Sequence, residues 1–279
     1  MNAAKLTVVI LTKNEAYHLP RCLDAIPDRY PVVVIDSGST DGTDAIAQRR
    51  GCAVFHNSWP GFAAQRNFAL EHCGVRSGWA LFIDADELFP HTFFDWFEAR
   101  VAGTADIDAV MVPSILYLRG QALRFAPGYP ILHPRLVRTD AVRFVTNHTG
   151  HGESIPTGLR TITAPIPYHH HFYNGELIGW MHKHIDKARL EVALKPTDGA
   201  MLTRRGRLSL LFGRSVWRIP ARFVYHYLLR GGIRDGFAGL EFALMFTWYE
   251  ATIYLQARTA SRASDMQTKE TRRWQEVPR

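Results

Sequence analysis

The N-terminal third alternates short apolar runs with segments of helical character, and this alternation leaves few folds open. The runs are Leu6–Leu11, Val32–Ile35, Ala53–Phe55 and Trp79–Ile83. Between them lie a segment carrying Leu19, Leu23 and Ile26 at helical spacing, a helix predicted over Asp44–Arg50, and another over Gly61–His72. Runs rich in β-branched residues, without polar alternation, suit strands covered on both faces. Strand–helix–strand units with short connections build a parallel sheet with right-handed crossovers. The predicted class is therefore α/β, a mostly parallel sheet flanked by helices. A hydrophobic content of 47% and a charged content of 21% supply the core such a sheet needs.

In sheets of this kind ligands bind beyond the carboxyl ends of the strands. Here Thr12, Asn14 and Glu15 follow the first run, Asp36 and Ser39 the second, and Asp84, Asp86 and Glu87 the last. A packed strand that ends in clustered carboxylates needs compensating positive charge, because like charges repel and buried ions are costly. Asp84 and Asp86, at i and i+2, can converge on one hard cation such as Mg²⁺ or Mn²⁺ if the chain turns there. The plainer alternative is a solvated turn, since acidic residues are ordinary loop formers. No GxGxxG and no GxxxxGK[ST] follows the first run, which argues against a dinucleotide site and a P-loop.

Four segments in order, VVILTKNEA, VVVIDSGSTDGT, GFAAQRNFAL and LFIDADE, resemble the family 2 glycosyltransferases of GT-A fold. The resemblance covers Leu6 to Glu87. It implies that Thr12, Asn14, Glu15 and Ser39 line a nucleotide pocket and that Asp36 reads the nucleobase of a sugar-nucleotide donor. It implies that Asp84 and Asp86 hold ribose and metal, Asp86 being the more direct metal ligand. Arg66 resembles a basic residue facing the donor; the alternative for it is a helix-surface arginine.

The middle of the chain should supply a base. An inverting transfer needs a group to take the acceptor hydroxyl proton, and a carboxylate near the donor suits that role. The resemblance to the branch of lipopolysaccharide-core glucosyltransferases falls on His151-Gly152-Glu153. It implies Glu153 as base, with Glu87 as the rival carboxylate and His151 as a substrate-orienting group. Within Tyr168–Phe172 three histidines stand in succession, and adjacent strand residues alternate faces, so the three should not share one ion. The resemblance places His169 or His171 near the metal, and His171 is taken as the ligand. Pro113, inside the strand-like Ala109–Leu118, suggests an edge or a bulge.

The charge is uneven. The chain carries 33 Lys and Arg against 26 Asp and Glu, a net +7. Eight arginines, with no acid and no lysine, lie in Thr203–Arg234, interleaved with Trp217, Phe223, Tyr225 and Tyr227. This pattern fits an anionic membrane surface, a packed helix face or nucleic acid; the glycosyltransferase resemblance favours the membrane and argues against nucleic acid. Gly236–Leu255 is long enough to span a bilayer, but Glu241 and Glu250 inside it favour a buried or interfacial helix. Cys22, Cys52 and Cys73 lack metal-type spacing and are expected as free thiols of a reducing compartment. The start of the chain lacks a signal-peptide pattern, so the expected location is cytoplasmic, on the inner face of a bacterial inner membrane.

The expected organisation is a GT-A catalytic domain over 1–200, with a nucleotide-binding half (1–100) and an acceptor half (101–200). A basic amphipathic helical extension (201–257) and a polar, frayed tail (258–279) follow. The expected activity is metal-dependent, inverting transfer from a sugar nucleotide, most simply a UDP-sugar, to a lipid-linked or lipopolysaccharide-type acceptor. The alternatives are a non-catalytic binding module on the same fold and a nucleotidyltransferase.

Overall fold

The computed structural model describes residues 5–146, 153–173, 175–193 and 215–275. It divides into two compact units, the first reaching Gly175 and the second running from Glu176. In the first unit β1 (Leu6–Thr12), β2 (Val32–Asp36), β3 (Ala53–His56) and β4 (Trp79–Asp84) form a parallel group in the order β3-β2-β1-β4. All seven residues of β1 are buried. Val8 and Ile10 enter one core with Leu19, Phe93, Phe94 and Phe97, while Val9 and Leu11 enter the other with Ala63, Ala69 and Phe82. This two-sided burial is why the strands read as continuous apolar runs. The linking helices are α1 (Leu19–Asp24), α2 (Thr43–Arg49) and α3 (Phe62–His72). The register pairs Thr12 with Asp36 and Leu11 with Asp84, so the polar strand ends lie level along one edge.

The rest of the unit adds antiparallel strands to the mostly parallel sheet expected. After β5 (Glu87–Leu88) and α4 (His91–Arg100) come β6 (Ala109–Leu118), β7 (Gln121–Leu123) and β8 (Ile131–Arg138). Then follow β9 (Val145–Thr146), β10 (Glu153–Ser154), β11 (Thr161–Thr163) and β12 (Tyr168–Tyr173). Strand β8 is antiparallel to both β4 and β6, and the sheet continues β4-β8-β6-β12-β5. It is a mixed sheet, still mostly parallel: β11 and β12 each pair parallel with β6, while β5, β7 and β8 run antiparallel to their neighbours. Strand β5 begins three residues after β4 ends, a reach of at most about 11 Å, yet it lies at the far end of the strand order. The sheet must therefore curl, bringing β12 back to the end of β4.

Of the edge or bulge that Pro113 suggests, the structure has no edge, since Pro113 lies in a central strand, and the register shift against β8 falls between Val110 and Met111. On the flank of β6 opposite β8, the partner changes from β11, last paired at Met111, to β12, first paired at Ser114. Pro113 falls in that gap, where its missing N–H interrupts no ladder on this side.

The second unit is helical. It contains α5 (Leu177–Ala193), α6 (Arg218–Val224), a π-helical turn over Tyr225–Leu229, a 3-10 turn over Gly232–Asp235, and α7 (Gly236–Gln275). The tail expected to fray is helical as far as Gln275. Glu250, 2% exposed, accounts for two of the basic segment's arginines. Arg218 lies 2.7 Å from its Oε1, and Arg222 donates from Nε to Oε2 at 3.0 Å. A buried carboxylate must be paired in this way, so these two guanidinia are tied to the interior and do not face a membrane. Arg204, Arg205, Arg207 and Arg214 lie outside the described residues. Among the described residues no helix is long and apolar enough to cross a membrane.

Candidate active site

The loops after β1 and β2 are tied into one surface. Asn14 takes a left-handed backbone (φ 55°), which places its Oδ1 2.8 Å from the Thr40 N–H; its own N–H donates to Ser39 Oγ at 2.8 Å. The Glu15 N–H donates to Thr43 Oγ1 and the Ala16 N–H to Asp41 Oδ2. Asp36, almost fully buried, accepts at Oδ1 from the Thr12 and Ser39 hydroxyls and at Oδ2 from the Gly38 and Ser39 N–H groups. Burial opposes its ionisation, but these hydrogen bonds prevail and hold its carboxyl below the usual range. Thr12, Asn14, Glu15, Asp36 and Ser39 are thus brought together as expected, with the carboxylate of Asp36 already fully engaged.

Helix α3 serves three regions with three consecutive residues. Gln65 donates to Ser37 Oγ at 3.1 Å and accepts from Asn57 Nδ2 at 2.7 Å, which fastens the ends of β2 and β3. Arg66 is fully buried beneath Asp84, with its guanidinium carbon 5.5–5.8 Å from the ring centres of Phe62, Phe82 and Phe144. Asn67 exchanges two hydrogen bonds with the backbone of Phe144, at 2.8 and 2.9 Å. Phe144 directly precedes β9, so this bond pair anchors the β9–β10 hairpin against α3. Arg66 is therefore not a helix-surface residue.

The carboxylate cluster gets its positive charge from two arginines. Arg66 reaches Asp84 Oδ1 at 3.3 Å, and Arg135, from β8, reaches Oδ2 at 2.8 Å. Arg135 also contacts Glu87 Oε1, while Glu87 Oε2 accepts the Asp84 N–H at 3.0 Å. Burial works against ionisation of Asp84, but Arg135 and then Arg66 overcome it and hold its carboxyl at about 2. Glu87 is fully buried, and burial pushes its carboxyl up against the pull of Arg135. With both oxygens engaged and no exposure, Glu87 cannot meet an acceptor hydroxyl. The expectation of a catalytic Glu87 is corrected to a residue that positions Arg135 and Asp84.

Three carboxylates facing two guanidinia leave one negative charge, on Asp86. Its partner is His170, with Nε2 3.3 Å from Oδ2. Burial disfavours the charged imidazole, but Asp86 outweighs it and raises the pKa of His170. The expected ligand His171 turns the other way: its ring stacks on Tyr117 with centres 4.8 Å apart. Burial, and then the charge of Arg21, push His171 down to about 4. Alternation along β12 separates these neighbours, and the curled sheet decides which of them faces the acids. Asp84 does not fit as a metal ligand, because each of its oxygens already meets a guanidinium. Asp86 fits as an oxygen ligand of a Mg²⁺ or Mn²⁺ ion whose other positions go to diphosphate oxygens and water, and His170 would join it only as the neutral imidazole, once the cation has displaced its proton. Among the described residues no three metal-ligating side chains form a complete cage.

Glu153 opens β10 and pairs with Thr146; its side chain and residue His151 lie outside the described residues. Sequence reasoning missed Arg135 and His170. An arginine within the apolar run of β8 was the available signal for the first, since a buried guanidinium requires an anion.

Residues 7–127 match the family model described as glycosyl transferase family 2. The chain is 29% identical over 158 residues to the lipopolysaccharide core biosynthesis glycosyltransferase LpsC of Rhizobium meliloti, covering 55% of this chain and 58% of that protein. An uncharacterized glycosyltransferase of Rickettsia felis is 40% identical over 84 residues, 30% of this chain and 29% of its own length. The chain thus spans less than two thirds of either relative's length. Among solved structures, mannosyltransferase PcManGT of Pyrobaculum calidifontis, in complex with GDP-Man and Mn²⁺, overlays with a TM-score of 0.47 at 18% identity, over 91% of this chain and 86% of that one. The likeness to glycosyl transferase family 2 covers residues 7–127, less than half of the chain.

Proposed function

We propose that the protein is a GT-A type glycosyltransferase that transfers a sugar from a nucleotide donor, with inversion, to a lipopolysaccharide-type or lipid-linked acceptor. One observation carries this reading: the tied loops after β1 and β2 lie level with the β4 end that carries Asp84 and Asp86, and Asp86 meets a histidine where Asp84 and Glu87 meet guanidinia. The likeness to LpsC supports the choice of acceptor.

The loop over Ser37–Thr40 faces the nucleobase, and Asp36 fixes its shape through the four hydrogen bonds it accepts. Arg66 and Arg135 keep Asp84 ionised and oriented toward the ribose. Asp86 and His170 would hold the divalent cation, which offsets charge on the departing nucleoside diphosphate when bound. Glu153 takes the proton from the acceptor hydroxyl as that oxygen attacks the anomeric carbon. The Asn67–Phe144 bonds hold its hairpin against the helix that carries Arg66.

The second unit exposes Trp217, Leu229 and Phe237 at 70–76%, with Leu228 and Ile233 more than half exposed and Arg230 and Arg234 among them. Aromatic and apolar side chains interleaved with arginine suit the headgroup region of an anionic membrane, which supports peripheral attachment.

The test is donor binding and hydrolysis. Thermal stabilisation by UDP or a UDP-sugar should require Mn²⁺ or Mg²⁺, and slow metal-dependent hydrolysis of the sugar nucleotide should disappear in Asp86→Ala. If no sugar nucleotide binds or turns over with either metal, the reading fails and the binding-module alternative fails with it.

A further inference from the structure

A second concavity opens on the other face of β12 from Asp86. It is a cleft of about 710 Å³, lined by Tyr17 ahead of α1, Arg21 within α1, Tyr117 of β6, Arg119 just beyond β6, and His169 and His171 of β12. Among the described residues no carboxylate lines it. The permanent charges are the two guanidinia, which stay protonated at any working pH. His18 also borders the cleft, and its charge acts on Asp86, so the cleft adjoins the acidic cluster.

The backbone at Arg119 is a separate indication. Arg119 and Gly120 form the two-residue connection between β6 and β7, closed by the Leu118–Gln121 pair. Both have positive φ, 49° and 79°. Such a hairpin turn favours Asn, Asp or Gly at its first position, and a left-handed backbone is unfavourable for a long side chain. Local preference therefore opposes arginine here, and strain of this kind collects where a side chain has work to do. The Arg119 guanidinium carbon lies 5.6 Å from the ring centre of Tyr173, which also borders the cleft.

We propose that this cleft binds a phosphate group carried by the sugar acceptor, with Arg21 and Arg119 taking the phosphate oxygens and Tyr17 and Tyr117 facing the sugar. Guanidinia match phosphate geometry with paired hydrogen bonds, and aromatic rings suit sugar faces. The proposal names the acceptor class of the transferase reading and rests on it; the anion site itself stands on the cleft alone.

Calorimetry on the full chain tests it. UDP with Mn²⁺ is added first so that the donor edge is filled. Inorganic phosphate and glucose 6-phosphate should then bind, and glucose should not. Arg21→Ala and Arg119→Asn should each weaken both phosphate ligands at least tenfold. Arg119→Asn also suits the turn, so its melting temperature should hold or rise, which separates lost binding from lost folding. Unchanged phosphate affinity in both variants overturns the proposal, as does glucose binding as tightly as glucose 6-phosphate. Displacement of bound phosphate by phosphatidylglycerol vesicles, but not by glucose 6-phosphate, assigns the cleft to a lipid headgroup and overturns the acceptor role. If UDP with Mn²⁺ fails to bind while phosphate binding still needs both arginines, the transferase reading falls and the anion site stands. Retained UDP binding with arginine-independent phosphate binding gives the reverse.

Discussion

Arg135 sets its guanidinium 2.8 Å from Oδ2 of Asp84 while also contacting Glu87. The two residues come from antiparallel neighbours, β8 and β4, and Arg135 is only 3% exposed. Removing one member of a buried charge pair leaves the others uncompensated, which typically costs about 3–5 kcal/mol. Arg135→Met should therefore lose stability of that order in urea unfolding. Adding Glu87→Gln to Arg135→Met should cost less than the separate effects combined, because the two share one interaction. Additive effects would count against the described network.

The geometry separates two adjacent histidines. His170→Ala should weaken Mn²⁺-dependent UDP binding by about 10–100-fold, the usual range for loss of a group that holds or supports a metal site. His171→Ala should leave the Mn²⁺ requirement unchanged. Titrating Mn²⁺ at fixed UDP, read by thermal shift, checks both variants, and equal effects would contradict the assignment of His170.

His184 gives the second unit a pH dependence. Its ring stacks on Trp180 with centres 3.8 Å apart, and its Nδ1 lies 2.9 Å from the Trp180 carbonyl oxygen. Burial, and then the charge of Lys187, push it down to about 4. The unfolded imidazole has a pKa of about 6.5, so on acidification the unfolded chain takes up its proton first. The stability that His184 confers is complete above pH 6.5 and is lost as pH falls toward 4, to the extent of roughly 3 kcal/mol. Urea unfolding at pH 7.5 and 5 should show a smaller loss for His184→Phe than for the parent chain.

Asn67→Ala should free the β9–β10 hairpin. The exchange leaves the N–H and C=O of Phe144 without their side-chain partner, a destabilisation of about 2–4 kcal/mol for two lost bonds. On the proposed mechanism kcat should fall while UDP affinity stays within about twofold, since RT ln 2 is only about 0.4 kcal/mol. A matching loss of UDP affinity would show that the hairpin serves the donor and not the base.

Much of the first unit was legible in the sequence. The apolar runs of β1, β2 and β4 pointed to parallel strands because their residues are buried on both faces, and polar residues beyond each run marked the ligand edge. Asp84 and Asp86 stood out because clustered acids at a strand end demand an explanation. That demand was met partly by Arg135, which lies 51 residues from Asp84 in sequence, and neither periodicity nor spacing carries a contact of that range. Alternation said that His169, His170 and His171 could not share a face; only the curl of the sheet decides which one meets Asp86. The helical course of α7 did leave a signal, since no proline or glycine occurs between Gly239 and Pro278.

Gln65, Arg66 and Asn67 point in directions about 100° apart, as successive residues of a helix must. One key thus turns three locks: the ends of β2 and β3, the acid of β4, and the hairpin of Glu153. A single residue inserted before Gln65 would rotate the key by one notch and disengage all three together. Substitutions on the outer face of α3 can drift, whereas its phase cannot, and a change of helix length there should abolish folding and donor binding in one step.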